Sequence, residues 1–544
     1  MRKSWKKLIE SGQEAFDSGQ YDLARTDFEQ ALAIAEKSGK KDSRLGTSLD
    51  HMGRLEEKLG RYQEAEELFK KALAILQANL GDEHLDVAQT LNNLGALYHS
   101  MGQFQKAEEL YERSIAICKK ELGEDDPLVA VGYNNLANTL VRQGNFERAE
   151  ELLDQALSIR EQSFGPLHSH VAQSLIDLAG LYEEQGSFER SESLYLNALS
   201  IRESLLGADH PDVAEILNNL AGLYYTQGRY NKVEPLLKRS LSIWERAFGN
   251  EHPLLATNLN NLSILYLTLG KFDIAEKYCM RALEIREKVL DPMHPELAIS
   301  LNNLASLRRE QGQLDGTEPL IRRALAIEEE SLGADHPEVA TTLNNLALLY
   351  IEQDKYGDAE GLYQRSLVIL ESSFGESHPH VAAVLDNQAE LYEHLRQYQK
   401  AEELHRRALA IRERVFGDDH PDVGESLNNL AAFHFKHGHD DEADGLYRRS
   451  LSIWAAAFGE EHPKVADACS NLALLLEMKE EYEESEKYYR RAITILETCF
   501  GSEDPQVATC LENYVQLLRK TERHDEADEL CQRVERINDS NGNS

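Results

Sequence analysis

The sequence predicts an all-α protein built as an α-solenoid, and three observations carry that prediction. A glycine recurs every 42 residues, at Gly81, Gly123, Gly165, Gly207 and Gly249, gives way to Asp291, and resumes at Gly333, Gly375, Gly417, Gly459 and Gly501. Between these markers the apolar residues follow the 3.6-residue spacing of a helix face, and no stretch alternates as a strand would. Each unit holds two such faces with a breaker between them, a helix pair that cannot bury its apolar surface alone and must stack on its neighbours.

Within a unit, helix A opens near a His-Pro step. Pro337 stands at such an opening, a first-turn position where its missing N–H costs nothing. Helix A ends at a turn such as "QGRY", whose Gly228 can take the positive φ that stops a helix. Helix B follows and runs to the next "FG" or "LG". A shifted copy comes first, with Tyr21, Ala24, Phe28 and Ala31 lying 41 residues before Tyr62, Ala65, Phe69 and Ala72. From Trp5 onward the pattern makes about 13 helix pairs: a divergent pair in 1–42, twelve tandem repeats in 43–537 forming one continuous body, and a disordered polar tail, "NDSNGNS", at 538–544.

Charge and composition narrow the function. Lys and Arg number 58 against 95 Asp and Glu, a net charge of −37, which argues against nucleic acid, since phosphate contacts need clustered cations. The balance favours basic or amphipathic protein partners. Six cysteines form no C-x-x-C pair, which points to a reducing compartment. No secretory h-region follows the basic start, and no apolar run reaches the roughly 18 residues of a membrane helix. The expectation is a cytoplasmic protein, monomeric or associating end to end, with no membrane contact.

Nucleotide-binding loops, G-x-S-x-G and H-E-x-x-H are all missing, so no catalytic residue, cofactor or metal is expected. The column His84, His168, His210, His252, His294, His336, His378, His420 and His462 invites a metal reading. Packed helices lie about 8–10 Å apart, too far for residues one repeat apart to share an ion. Asp126 and Asp504 hold the same position, and Asp is a favoured N-cap, so capping or loop packing explains the column better.

Small-x-x-aromatic in helix A (Ala347, Tyr350), aromatic-x-x-Ala at the turn (Tyr356, Ala359), then Tyr363 and Ser366 resemble the tetratricopeptide repeat. The 42-residue form ending "LGADHPEVA" resembles the repeats of kinesin light chains. The resemblance implies a right-handed superhelix whose concave groove, lined mainly by A helices, holds peptides.

Helix A carries "LNNLA" again and again, although asparagine is a poor helix former. On a helical wheel Asn344 and Asn345 fall just outside opposite edges of the packed arc. Two readings of the second asparagine stay open: a rivet to the neighbouring helix, or a ladder that bonds the backbone of an extended peptide. The ladder reading places Asn219, Asn261, Asn303 and Asn345 in a peptide-binding face, with Tyr225, Ile264, Leu267, Arg309, Leu348 and Ile351 reading side chains. The expected function is a non-enzymatic scaffold binding extended segments of partner proteins. The alternatives are a structural or self-associating solenoid and a cargo adaptor like kinesin light chains.

Overall fold

The computed structural model describes residues 4–39 and 42–542. Twenty-six α-helices fill them, with no strand among the described residues, and they alternate as 13 antiparallel A/B pairs from Trp5–Asp17 to His524–Gly542. A helices such as Pro211–Thr226 and Pro337–Glu352 have 16 residues, and B helices such as Tyr230–Phe248 and Tyr356–Phe374 have 19. Tyr21–Ser38 and Phe272–Val289 have 18, and one B helix departs further. The segment "LDGTEP" brings Gly316 and Pro319 into its first turn, and Leu314–Gly316 forms a 3₁₀ turn before Thr317–Ser331. Residues 538–542, expected in a tail, continue the final helix, because no breaker precedes Gly542; 543–544 lie outside the described residues.

The turn between A and B demands a left-handed residue. Gly102 supplies it at φ 66°, whereas Asp354, Arg396, Glu480 and Glu522 adopt φ of 58–63° without glycine's freedom. Small side chains let A and B meet closely: Ala347, Ala359 and Ser366 are fully buried. Successive A helices also pack directly on each other, a closeness that no pair of successive B helices matches, so A helices line the inner side of the curve. B helices are instead joined by long side chains. Arg239 pairs with Glu203, Arg281 with Glu245 and Arg323 with Glu287, each at 2.6 Å. Glutamates of helix B accept from tyrosines of the next A helix, as Glu192 does from Tyr224 at 2.6 Å and Glu360 from Tyr392 at 2.6 Å.

The curve closes on itself. The Phe104 and Phe374 rings stack at 5.2 Å, Phe146 and Phe416 at 5.7 Å, and Phe188 and Phe458 at 5.4 Å. Each pair is 270 residues apart in sequence, so one turn of the superhelix takes about six 42-residue units. Arg61 reaches Asp291 at 3.1 Å, and the Gln105 amide donates to the Ser373 carbonyl at 3.3 Å along the same seam.

Candidate functional site: the inner face and the seam between turns

The asparagine pairs have two geometries. Asn135, Asn261, Asn387 and Asn471 each donate Nδ2 to the first asparagine of the preceding repeat (Asn92, Asn218, Asn344 and Asn428) at 3.0–3.1 Å. These are rivets between repeats, and Asn261, expected in the peptide-binding face, is committed to one. Asn303 and Asn345 lack the rivet, because their partners turn the other way. Asn260 donates to the Ser300 hydroxyl at 3.2 Å, and Asn302 to Thr342 at 2.7 Å. Asn219 has no asparagine to meet, since Ile176 stands in the preceding repeat where Asn218 or Asn344 would be. All three are half-buried on helix A.

The apolar members divide as well. Ile264 and Leu348 are half-buried at the same position of their repeats. Ile351 is 6% exposed and belongs to the core, because the A helices curve around that position and cover it. Tyr225 bonds Thr268 at 2.6 Å and lies against Tyr230, and Arg309 pairs with Glu352 at 3.4 Å. Tyr225 and Leu267 both sit at the C-terminal ends of A helices, where the next turn of the superhelix arrives. They face the seam more than an open groove.

That seam is where the histidine column acts. Nδ1 of His294, His336, His378, His420 and His462 accepts the backbone N–H two residues on, capping helix A at 3.0–3.2 Å. Nε2 of each donates to a carbonyl one turn below: Lys58, Ser100, Arg142, Glu184 and Thr226, at 2.9–3.4 Å. One nitrogen must accept and the other must donate, so each imidazole is held neutral. Burial lowers all five pKa values, to about 4 for His336 and His462 and about 3 for His378. The sequence showed the cap; the second bond depends on superhelix pitch, which no single repeat encodes.

A cavity of about 570 Å³ opens in the seam, between Tyr225, Tyr230 and Glu183 on one turn and His462, Lys464 and Asp467 on the next. Desolvation pushes the Glu183 carboxyl up to about 7 and that of Asp467 up to about 6. One repeat core is also polar. His405 replaces the buried tyrosine of its neighbours, with Nδ1 2.8 Å from Asp386, whose other oxygen accepts from Arg412 at 2.5 Å. Burial lowers the affinity of this imidazole for a proton, yet bonds to Asp386 and Glu393 outweigh it and hold the pKa up at about 9.

Paired helices of fixed length, stacked into a curve with A helices inside, define a helical-repeat solenoid of the class that acts through its surfaces. The chain belongs to the tetratricopeptide repeat family, whose model matches twelve overlapping windows from residues 14–78 to 465–540. Among solved structures, BtubC (BKLC) from P. vanneervenii is 24% identical over 44% of this chain and 93% of its own, with a TM-score of 0.34. A putative kinesin light chain with nearly identical repeats from Podosopora anserina is 23% identical over 38% of this chain and 98% of its own, with a TM-score of 0.32. A Rap protein complexed with Competence and Sporulation Factor is 16% identical over 68% of this chain and 98% of its own, with a TM-score of 0.48. No curated protein matches the chain. Among the described residues no helix is long and apolar enough to cross a membrane.

Proposed function

We propose that this chain, a protein–protein interaction scaffold by its repeats, holds an extended segment of a partner on its inner face and grips the backbone of that segment with Asn303 and Asn345. The observation that carries this reading is the broken rivet: Asn260 and Asn302 turn to Ser300 and Thr342, leaving two successive amides without the repeat-to-repeat bond that Asn261 and Asn387 make. An amide offers two donors and an acceptor, which matches peptide N–H and C=O without reading sequence. Ile264 and Leu348 flank this stretch as half-buried apolar contacts. The net charge of −37 favours basic residues in the bound segment.

Peptides selected on the wild-type chain from a displayed library of extended sequences provide the probe. Asn303→Ala with Asn345→Ala should weaken the selected peptide about five- to a hundredfold, at roughly 0.5–1.5 kcal/mol per lost bond, with little change in the melt. Asn261→Ala with Asn387→Ala should do the reverse, lowering stability and sparing affinity. Equal affinity in both double variants would retire the inner-face grip.

A further inference from the structure

We propose that a second copy of this chain docks head to tail on the first, repeating between molecules the seam that closes one turn on the next within the chain. The seam has a fixed apolar pattern. The last residue of one B helix stacks on the first residue of a B helix one turn below: Phe374 on Phe104, Phe416 on Phe146 and Phe458 on Phe188. Where one turn covers another, the lower ring is buried or half-buried: Phe104 to 3% and Phe188 to 5% exposure, with Phe146 and Tyr230 half-buried.

The same two positions stand bare at the edges of the described superhelix. At B-helix ends on one edge, Leu122, Phe164, Leu206 and Phe248 are 39–44% exposed. At B-helix starts on the opposite edge, Phe272 and Tyr398 are 36% and 42% exposed, Tyr356 and Tyr482 are half-buried, and Asp440 and His524 take the place of a ring. One edge therefore displays the residues that stack downward and the other displays those that receive them. This is a head-to-tail complement, since like edges would bring together residues that do not pair anywhere in the seam. The histidine column agrees: the side chains of His84 and His210 are 43% and 38% exposed, each with its ring on the edge that lacks a carbonyl below. An open-ended heterologous contact of this kind builds a series of copies and does not stop at a closed dimer.

Net charge opposes the contact, at −37 per copy. The seam itself uses rings, neutral imidazoles and carbonyls, so the opposition is long-range and falls with salt. Association should therefore strengthen between low and high ionic strength, the reverse of an ion-paired interface.

The test is the mass of the whole chain by sedimentation equilibrium at neutral pH and high salt. Wild type should rise with concentration from 61.6 kDa through multiples of it. Leu122→Glu with Leu206→Glu removes one edge, and Phe272→Glu with Tyr398→Glu removes the other. These positions are exposed, so both variants should melt as wild type does. Each alone should stay at the mass of one copy, and an equal mixture should form a dimer and stop there. Three results overturn the proposal: a wild-type mass that never exceeds one copy, association that survives in either variant alone, and a mixture that does not pair.

Discussion

His210 and His462 hold the same place in their repeats, six units apart, and both cap an A helix through Nδ1 at 3.0–3.2 Å from its backbone donor. His210 keeps 38% of its side chain exposed, whereas His462 is buried and bonds the Thr226 carbonyl one turn below. Two copies of one motif thus have different chemistry, because only the second lies where a turn has come round beneath it. In a solenoid the local role of a residue is written in the repeat. Its long-range role is set by the pitch that all repeats together produce.

The largest expected contrast is with acid. The five covered histidines have lowered pKa values in the closed seam, against about 6.5 when free. The open or unfolded chain therefore binds protons that the closed one refuses. The stabilisation is whole above pH 6.5, weakens as pH falls through the lowered values of about 4 and about 3, and levels off below them. At about 1.4 kcal/mol per unit, His336, His378 and His462 should each lose about 2 kcal/mol by pH 5, a loss that protonation of the raised Glu183 and Asp467 carboxyls in the same seam partly offsets. His405 has the opposite sign: its contribution is whole below pH 6.5 and fades as pH rises through about 9. Melting temperature against pH should thus fall on both sides of neutrality, and a profile flat from pH 7 to 5 would contradict the seam.

Removing the histidines should separate the two regions directly. His84, His168 and His210 changed together to Ala should cost only caps, about 0.5–2 kcal/mol each. His336, His378 and His462 changed together should cost that and about 1–3 kcal/mol more per site, because buried carbonyls lose their donors. Equal losses in chemical denaturation would show that the covered histidines do nothing beyond capping.

A smaller contrast comes from the rings. Phe188→Ala removes a buried ring and should cost about 3–5 kcal/mol, whereas Phe272→Ala, at the same position on an uncovered edge, should cost under about 1 kcal/mol. Smallest is the turn residue. Glu480 sits at φ 63°, where the aligned repeats have Gly102 or Gly228, so Glu480→Gly should stabilise by about 1 kcal/mol. A melt that drops instead would mean that Glu480 makes contacts worth more than the strain.

The repeat-level features are legible in the sequence. Pro337 opens its helix, Gly102 turns left-handed, Ala347 packs at zero exposure and His336 caps, all as 42-residue spacing and helix chemistry require. The inner face was half legible. The asparagines were recognised as amides at the edge of the packed arc, but whether Asn303 is riveted depends on how Asn260 turns its amide toward Ser300, a choice no repeat motif dictates. The covering of Ile351 and the seam beside Tyr225 lie beyond a helical wheel, which knows one neighbour on each side, because both come from elements further off.

The central claim is that one turn rests on the next, and a covalent probe reads it most directly. Cys499 and Cys531 are changed to Ser, and Gln105→Cys with Ser373→Cys places two thiols where the Gln105 amide meets the Ser373 carbonyl at 3.3 Å, 268 residues away in sequence. A control carries Gln105→Cys with Val415→Cys, one repeat out of register and half-buried as Ser373 is. At neutral pH a short bifunctional maleimide should join the first pair within the monomer and leave the control unjoined. A first pair that joins no better than the control would mean the turns stand apart, and the bridging histidines, the stacked rings and the seam would fall with it.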